Sequence, residues 1–174
     1  MGFLDSLFDK REKLDYCKGC DYIFNLALTQ AVQFTNEFSD IQEEYYRANI
    51  VGIAMAYLDT KPADKCVRVR STFGKDALYY GTVHGTMLIE SHPIQANLKT
   101  VFLPLFQNYH TYYSNFIINE MNNNLNATTV RILAQEVLQH NDIVPDAAKI
   151  NAIAVDINAL IEIIDALLSK YKFV

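Results

Sequence analysis

Cys17-Lys18-Gly19-Cys20 is the stretch whose residue types and spacing come nearest to a chemical motif. Two thiols this close, just ahead of a helix, could work as a redox pair. The helix N-terminus would lower one thiol pKa and stabilise its thiolate. The same two thiols would make half of a zinc site if two further ligands, such as Cys66 and His84, came to meet them. A second closely spaced ligand pair, the more specific half of a zinc signature, does not occur in the sequence. The plainer expectation is two thiols packed in a helix–helix turn, with no metal and no cofactor.

Other chemistry finds less support. An all-α redox motif of the alkylhydroperoxidase kind sets a histidine four residues after the second cysteine; Phe24 stands there, so no membership follows. His84, His92, His110 and His140 are dispersed and form neither HExxH nor ExxH, the helical layouts of zinc proteases and of carboxylate-bridged di-iron centres. There is no GxSxG, no Walker A and no GxGxxG. Glu43 and Glu44 are adjacent and diverge on a helix, and Glu43 is better placed to pair with Arg47 than to share a proton. No catalytic residues emerge from this reading. The start, Met1-Gly2-Phe3-Leu4-Asp5-Ser6, fits the loose acylation pattern, but an ordinary amphipathic first helix is the simpler account.

A more unusual signal is missing charge. Between Thr100 and Val130 the only aspartate, glutamate, lysine or arginine is Glu120, while Asn108, Thr111, Asn115 and Asn119 accompany Tyr109, Tyr112 and Tyr113. Solvent-facing helices usually carry Lys and Glu, whereas interface cores are depleted in them and rich in tyrosine. Either this helix is wrapped by others with its amides satisfied internally, or it presents a contact surface.

The elements that must position these groups are helical. Ile150, Ile153, Ile157, Leu160, Ile164, Leu167 and Tyr171 recur at intervals of three and four, which lays one apolar stripe along a helix starting near Pro145 and Asp146. A second long pattern runs from Leu98 to Ile117, with Pro104 inside it to kink or split it. Asn126 caps a shorter helix that buries Val130, Leu133, Val137 and Leu138. Earlier, residues 3–8 suggest a short helix, Asp21 a cap for a helix carrying Ile23, Ala27, Ala31, Phe34 and Phe38, and Asp40 a cap for one reaching Leu58. From Ile50 that last helix is apolar all round, which marks a central element. Residues 66–90 fit a small β-hairpin about as well as broken helix. The expectation is therefore an all-α, antiparallel multi-helix bundle forming one domain over residues 1–174.

At 174 residues and 51% hydrophobic, the chain is long and apolar enough for a core that needs neither metal nor disulfide. A net charge of −5 argues against nucleic-acid binding. No stretch suits a membrane span, and three cysteines suit a reducing cytoplasm. By elimination the sequence suggests a small acidic binding module, most concretely an immunity- or inhibitor-type neutraliser of a basic protein partner. Its contact candidates are Asp40, Glu43, Glu44, Tyr109, Tyr112 and Tyr113. A thiol oxidoreductase using Cys17 and Cys20, and a structural homo-oligomer built through the uncharged helix, are the alternatives.

Overall fold

The structure is a computed structural model, and it describes residues 10–14, 19, 22–23, 26–31, 43–61 and 96–173. The cysteines Cys17 and Cys20, the caps Asp21 and Asp40, the segment 3–8 and the 66–90 region lie outside these. The described elements are β1 (Glu12–Leu14), α1 (Glu43–Asp59), α2 (Ala96–Asn119), α3 (Ala127–His140), α4 (Ala147–Lys170) and β2 (Tyr171–Phe173), together with a helical run at 26–31. The protein is mostly helical, and its helices pack on one another.

Helix α1 is the centre. Every residue from Ala48 to Leu58 is buried, as a helix apolar on all sides requires. Its most extensive partner is α2. The contact is close because α1 offers small residues there. A Cβ added to Gly52 would lie 3.1 Å from the Tyr109 carbonyl carbon and from the His110 backbone nitrogen. Ala48 and Ala56, one turn to either side of Gly52, keep the same face low.

Helix α2 runs unbroken through Pro104 for 24 residues rather than dividing there. It buries Phe102, Phe106, His110, Tyr113 and Ile117, residues three or four apart on one face. Helix α3 starts where Asn126 was expected to start it: the Asn126 side chain accepts from the Thr128 and Thr129 amides, and Thr129 closes a reciprocal capping box. Its far end is a Schellman turn. The Ile143 amide reaches back to the Leu138 carbonyl and the Asp142 amide to that of Gln139. The residue this turn puts in the left-handed region is Asp142, at φ 55°.

Helix α4 is capped by Asp146, whose carboxylate accepts from the Lys149 amide at 2.8 Å. The sequence had suggested Pro145 as the first helical turn; it lies just outside the cap instead. The stripe Ile150, Ile153, Ile157, Leu160 and Ile164 is buried as spaced. Tyr171 leaves that stripe, however, because the chain turns extended there (φ −116°, ψ 140°) and enters β2. Strand β2 pairs parallel with β1, Glu12 opposite Tyr171 and Leu14 opposite Phe173.

Two tyrosine–aspartate ties fix α4 against α1. The Tyr46 hydroxyl donates to Asp156 at 2.8 Å, and that of Tyr57 donates to Asp165 at 2.8 Å. Gln30, on the 26–31 run, joins Asp156 as a second donor. Lys61 completes the other tie, 2.6 Å from the Tyr57 hydroxyl and 3.1 Å from Asp165. Both ties follow the same order on the two helices, so α1 and α4 run in the same sense.

Candidate functional site

The most polar part of the interior lies where α1, α2 and α3 meet. Asn49, wholly buried on α1, donates from Nδ2 to the Tyr45 carbonyl at 2.8 Å. That bond assigns the amide, so Oδ1 faces the other way as an acceptor. The Tyr113 hydroxyl lies 2.6 Å from this Oδ1, and His140 Nδ1 lies 3.0 Å from it and 3.1 Å from Tyr113. Because Oδ1 can only accept, both neighbours must donate to it. His140 therefore carries its proton on Nδ1, and while the ring is neutral its lone pair sits on Nε2. Among the described residues Nε2 has no partner.

The ring of His140 is set between tyrosines. Its centroid is 4.9 Å from that of Tyr109 and 4.8 Å from that of Tyr112, the latter edge-on. Tyr112 donates its hydroxyl to Glu136, one turn back on α3, and stacks on Phe116. Burial pushes the Tyr112 hydroxyl up to about 12, with Glu136 and Glu120 adding to the rise; Tyr113 is raised well above the ordinary tyrosine value, again chiefly by burial. Both phenols are therefore protonated donors at neutral pH. Tyr109 is raised as well, by burial first, and feels the negative charge of Asp142. Glu136 thus bonds Tyr112 directly, and the carboxylates of Asp142 and Glu120 act on the tyrosine pair through their charge. Neither Glu136 nor Asp142 has a lysine or arginine partner among the described residues.

Burial lowers the His140 pKa, and the nearby Glu136 only partly opposes this. The unfolded chain takes up that proton near 6.5, the folded protein only at lower pH. Between those values the unfolded state holds more protons, so stability falls as pH drops through the interval. Urea midpoints measured from about pH 7.5 down to about pH 5 should fall, and a His140→Gln variant should show a flatter decline. Equal slopes in the two proteins would show that His140 is not the group responsible.

The residues singled out in the sequence are thus partly reassigned. Tyr113 is wholly buried and leaves the set of surface contacts; its hydroxyl holds the triad together. Tyr109 and Tyr112 are half-buried and turn toward His140. Glu43 opens α1, with its side chain outside the described residues; Glu44 is half-buried. Asn108, Thr111, Asn115 and Asn119 are exposed, so this face of α2 is not wrapped by other helices. Asn49 and Glu136 were not singled out from sequence, and His140 figured there only as one of four dispersed histidines.

Comparison of the chain with known protein-family models, with curated proteins and with solved structures gave no match. The site must be read from its own chemistry. Among the described residues no group of three or more histidine, cysteine, aspartate or glutamate side chains could hold a metal ion. No described helix is long and apolar enough to cross a membrane. The second histidine, His110, is tied by Nε2 to Asp59 at 2.7 Å and stacks on Phe106, which locks α2 to the end of α1. A concavity of about 560 Å³ lies near β1 and the end of α4, lined by Leu14, Tyr22, Ile163, Leu167 and Tyr171. Lys170 also lines it, with its ammonium over the Tyr171 ring, and the rest is largely apolar, without the several convergent polar groups that orient a ligand. The surface around His140 has them.

Proposed function

We propose that the protein is a small cytoplasmic binding module that covers part of a basic protein partner, in the manner of an immunity or inhibitor protein. The observation that carries the reading is the negative charge of Glu136, Asp142 and Glu120 acting on Tyr109 and Tyr112, together with the absence of a cationic partner for Glu136 and Asp142 among the described residues. Half-buried tyrosines beside carboxylates suit lysine and arginine side chains, through ring faces and charge together. The overall charge of −5 would speed the encounter with such a partner.

Asp142 supports the reading from a different direction. A left-handed backbone there favours glycine, and a negative charge at the C-terminal end of a helix opposes the helix dipole. A carboxylate kept where both local preferences oppose it suggests a role beyond folding. Asp142→Gly should raise stability by about 1 kcal/mol and at the same time weaken binding. The test is retention of a basic protein from the cells of origin, with its affinity measured against salt. Asp142→Gly paired with Glu136→Gln should lower that affinity at least about tenfold and flatten its salt dependence. Unchanged affinity in the double variant would end the assignment.

One further observation favours a second reading. The exposed face of α2 carries Asn108, Thr111, Asn115 and Ile118 without a single charge, so two acidic copies could meet there free of repulsion. Light scattering over a range of concentrations decides it: a monomer throughout removes self-association.

A further inference from the structure

We infer that the outward Nε2 of His140 is the acceptor that anchors an arginine side chain of the partner, and that protonating this ring releases it. The inference rests on reading the patch as a site for a basic partner. It adds which side chain enters and what turns it out.

The geometry begins with the triad. Asn49 Oδ1 accepts from both the Tyr113 hydroxyl and His140 Nδ1, so the lone pair of the neutral ring is fixed on Nε2. Such an arrangement, in which one ring nitrogen is held by a buried amide, leaves the other set in one direction. The Tyr109 and Tyr112 rings both lie against the imidazole, at 4.9 and 4.8 Å between centroids, with Glu136 one turn away from His140 on the same helix. Among the described residues, Nε2 and the Glu136 carboxylate are both acceptors here. A guanidinium supplies five N–H donors in a planar fork, so it can bond Nε2 and a carboxylate together while lying against a tyrosine face. An ammonium is a point donor and would satisfy one acceptor at a time.

The same nitrogen makes the site sensitive to acid. Once Nε2 is protonated it becomes a donor with a positive charge, and the arginine then faces a like charge where it had an acceptor. Among the described residues the groups facing the ring are Tyr109, Tyr112 and Tyr113 from α2, Glu136 from α3 and the uncharged Asn49 from α1, with Asp142 acting on Tyr109 from beyond the end of α3. The tyrosines stay protonated across the relevant range, because burial raises all three. Glu136 is the one nearby group that favours the imidazolium, and burial of the ring outweighs it.

The test titrates N-acetyl-L-arginine amide, and N-acetyl-L-lysine amide beside it, into the full-length chain. The His140 ring nitrogens are followed by long-range proton–nitrogen NMR. At about pH 7.5 the Nδ1-protonated tautomer is expected, with a saturable Nε2 shift on adding the arginine amide and a weaker response to lysine. At about pH 5 the arginine affinity should be clearly lower, approaching about a tenfold loss per pH unit once the pH is below the ring's own lowered pKa, and Glu136→Gln should weaken it at either pH. An Nε2-protonated ring, no shift at pH 7.5, or equal affinity at both pH values would overturn the inference. A basic partner captured by a protein whose His140 ignores the arginine amide would remove the anchor and leave the binding function standing. An arginine amide that binds as described, with no partner captured from cells, would do the reverse.

Discussion

Replacing Asn49 by leucine is expected to destabilise the protein by about 3–4 kcal/mol, close to the upper end of single-residue effects. The two side chains are similar in size, so little of this would come from a cavity. The loss comes from hydrogen bonds. Tyr113, wholly buried, would keep its O–H without its 2.6 Å acceptor, His140 Nδ1 would lose the same acceptor, and the Tyr45 carbonyl would lose the Asn49 donor. Each stranded polar group costs about 1–3 kcal/mol when water cannot reach it. Tyr113→Phe removes one of them, so the double variant Asn49→Leu/Tyr113→Phe should be less destabilised than the sum of the two single changes. The expected coupling is about 1–2 kcal/mol by urea unfolding. Additive losses would mean that these groups do not act on one another.

The second large effect is expected at Gly52. A valine there should cost about 3 kcal/mol, because its branches would enter the backbone of α2 rather than a yielding side chain. Alanine is the sharper test. In an exposed helix, glycine to alanine gains about 1 kcal/mol. Here the added Cβ meets Tyr109 and His110 backbone atoms at 3.1 Å, and a net loss of about 1 kcal/mol is expected. A more stable Gly52→Ala protein would contradict the close approach of α1 and α2. The same substitution should also disturb the His140 site, since Tyr109 stands both over Gly52 and beside the imidazole.

The two predictions mark where the sequence was readable. The apolar stripe from Ile150 to Ile164 and the Asn126 cap depend on residues within a few positions of one another, and local spacing reveals them. Burial all round α1 followed from its unbroken apolar run. The ties between elements were hidden, because Asn49 meets Tyr113 and His140 across 64 and 91 residues, and no period in the sequence brings them together. The loss of charge along α2 did point to the tyrosines. It could not say which side of the helix faced in, and Tyr113 proved internal while Asn108 and Asn115 proved exposed. The spacing of Ala48, Gly52 and Ala56 carried a usable clue to the close helix contact. Strands β1 and β2 left almost no trace, being three residues each with no alternation of polar and apolar side chains.

That small sheet governs how the protein would respond to mechanical load. Its strands are parallel, so the free end of β1 at Glu12 and the outgoing end of β2 at Phe173 lie at opposite ends of the ladder. Tension applied through these two points slides one strand along the other and strains every rung together, instead of peeling them one after another. Arg11, whose guanidinium donates to the Leu168 carbonyl at 3.0 Å, shares the strain at one end. The helices behind the ladder would feel the pull only after all of these had given way.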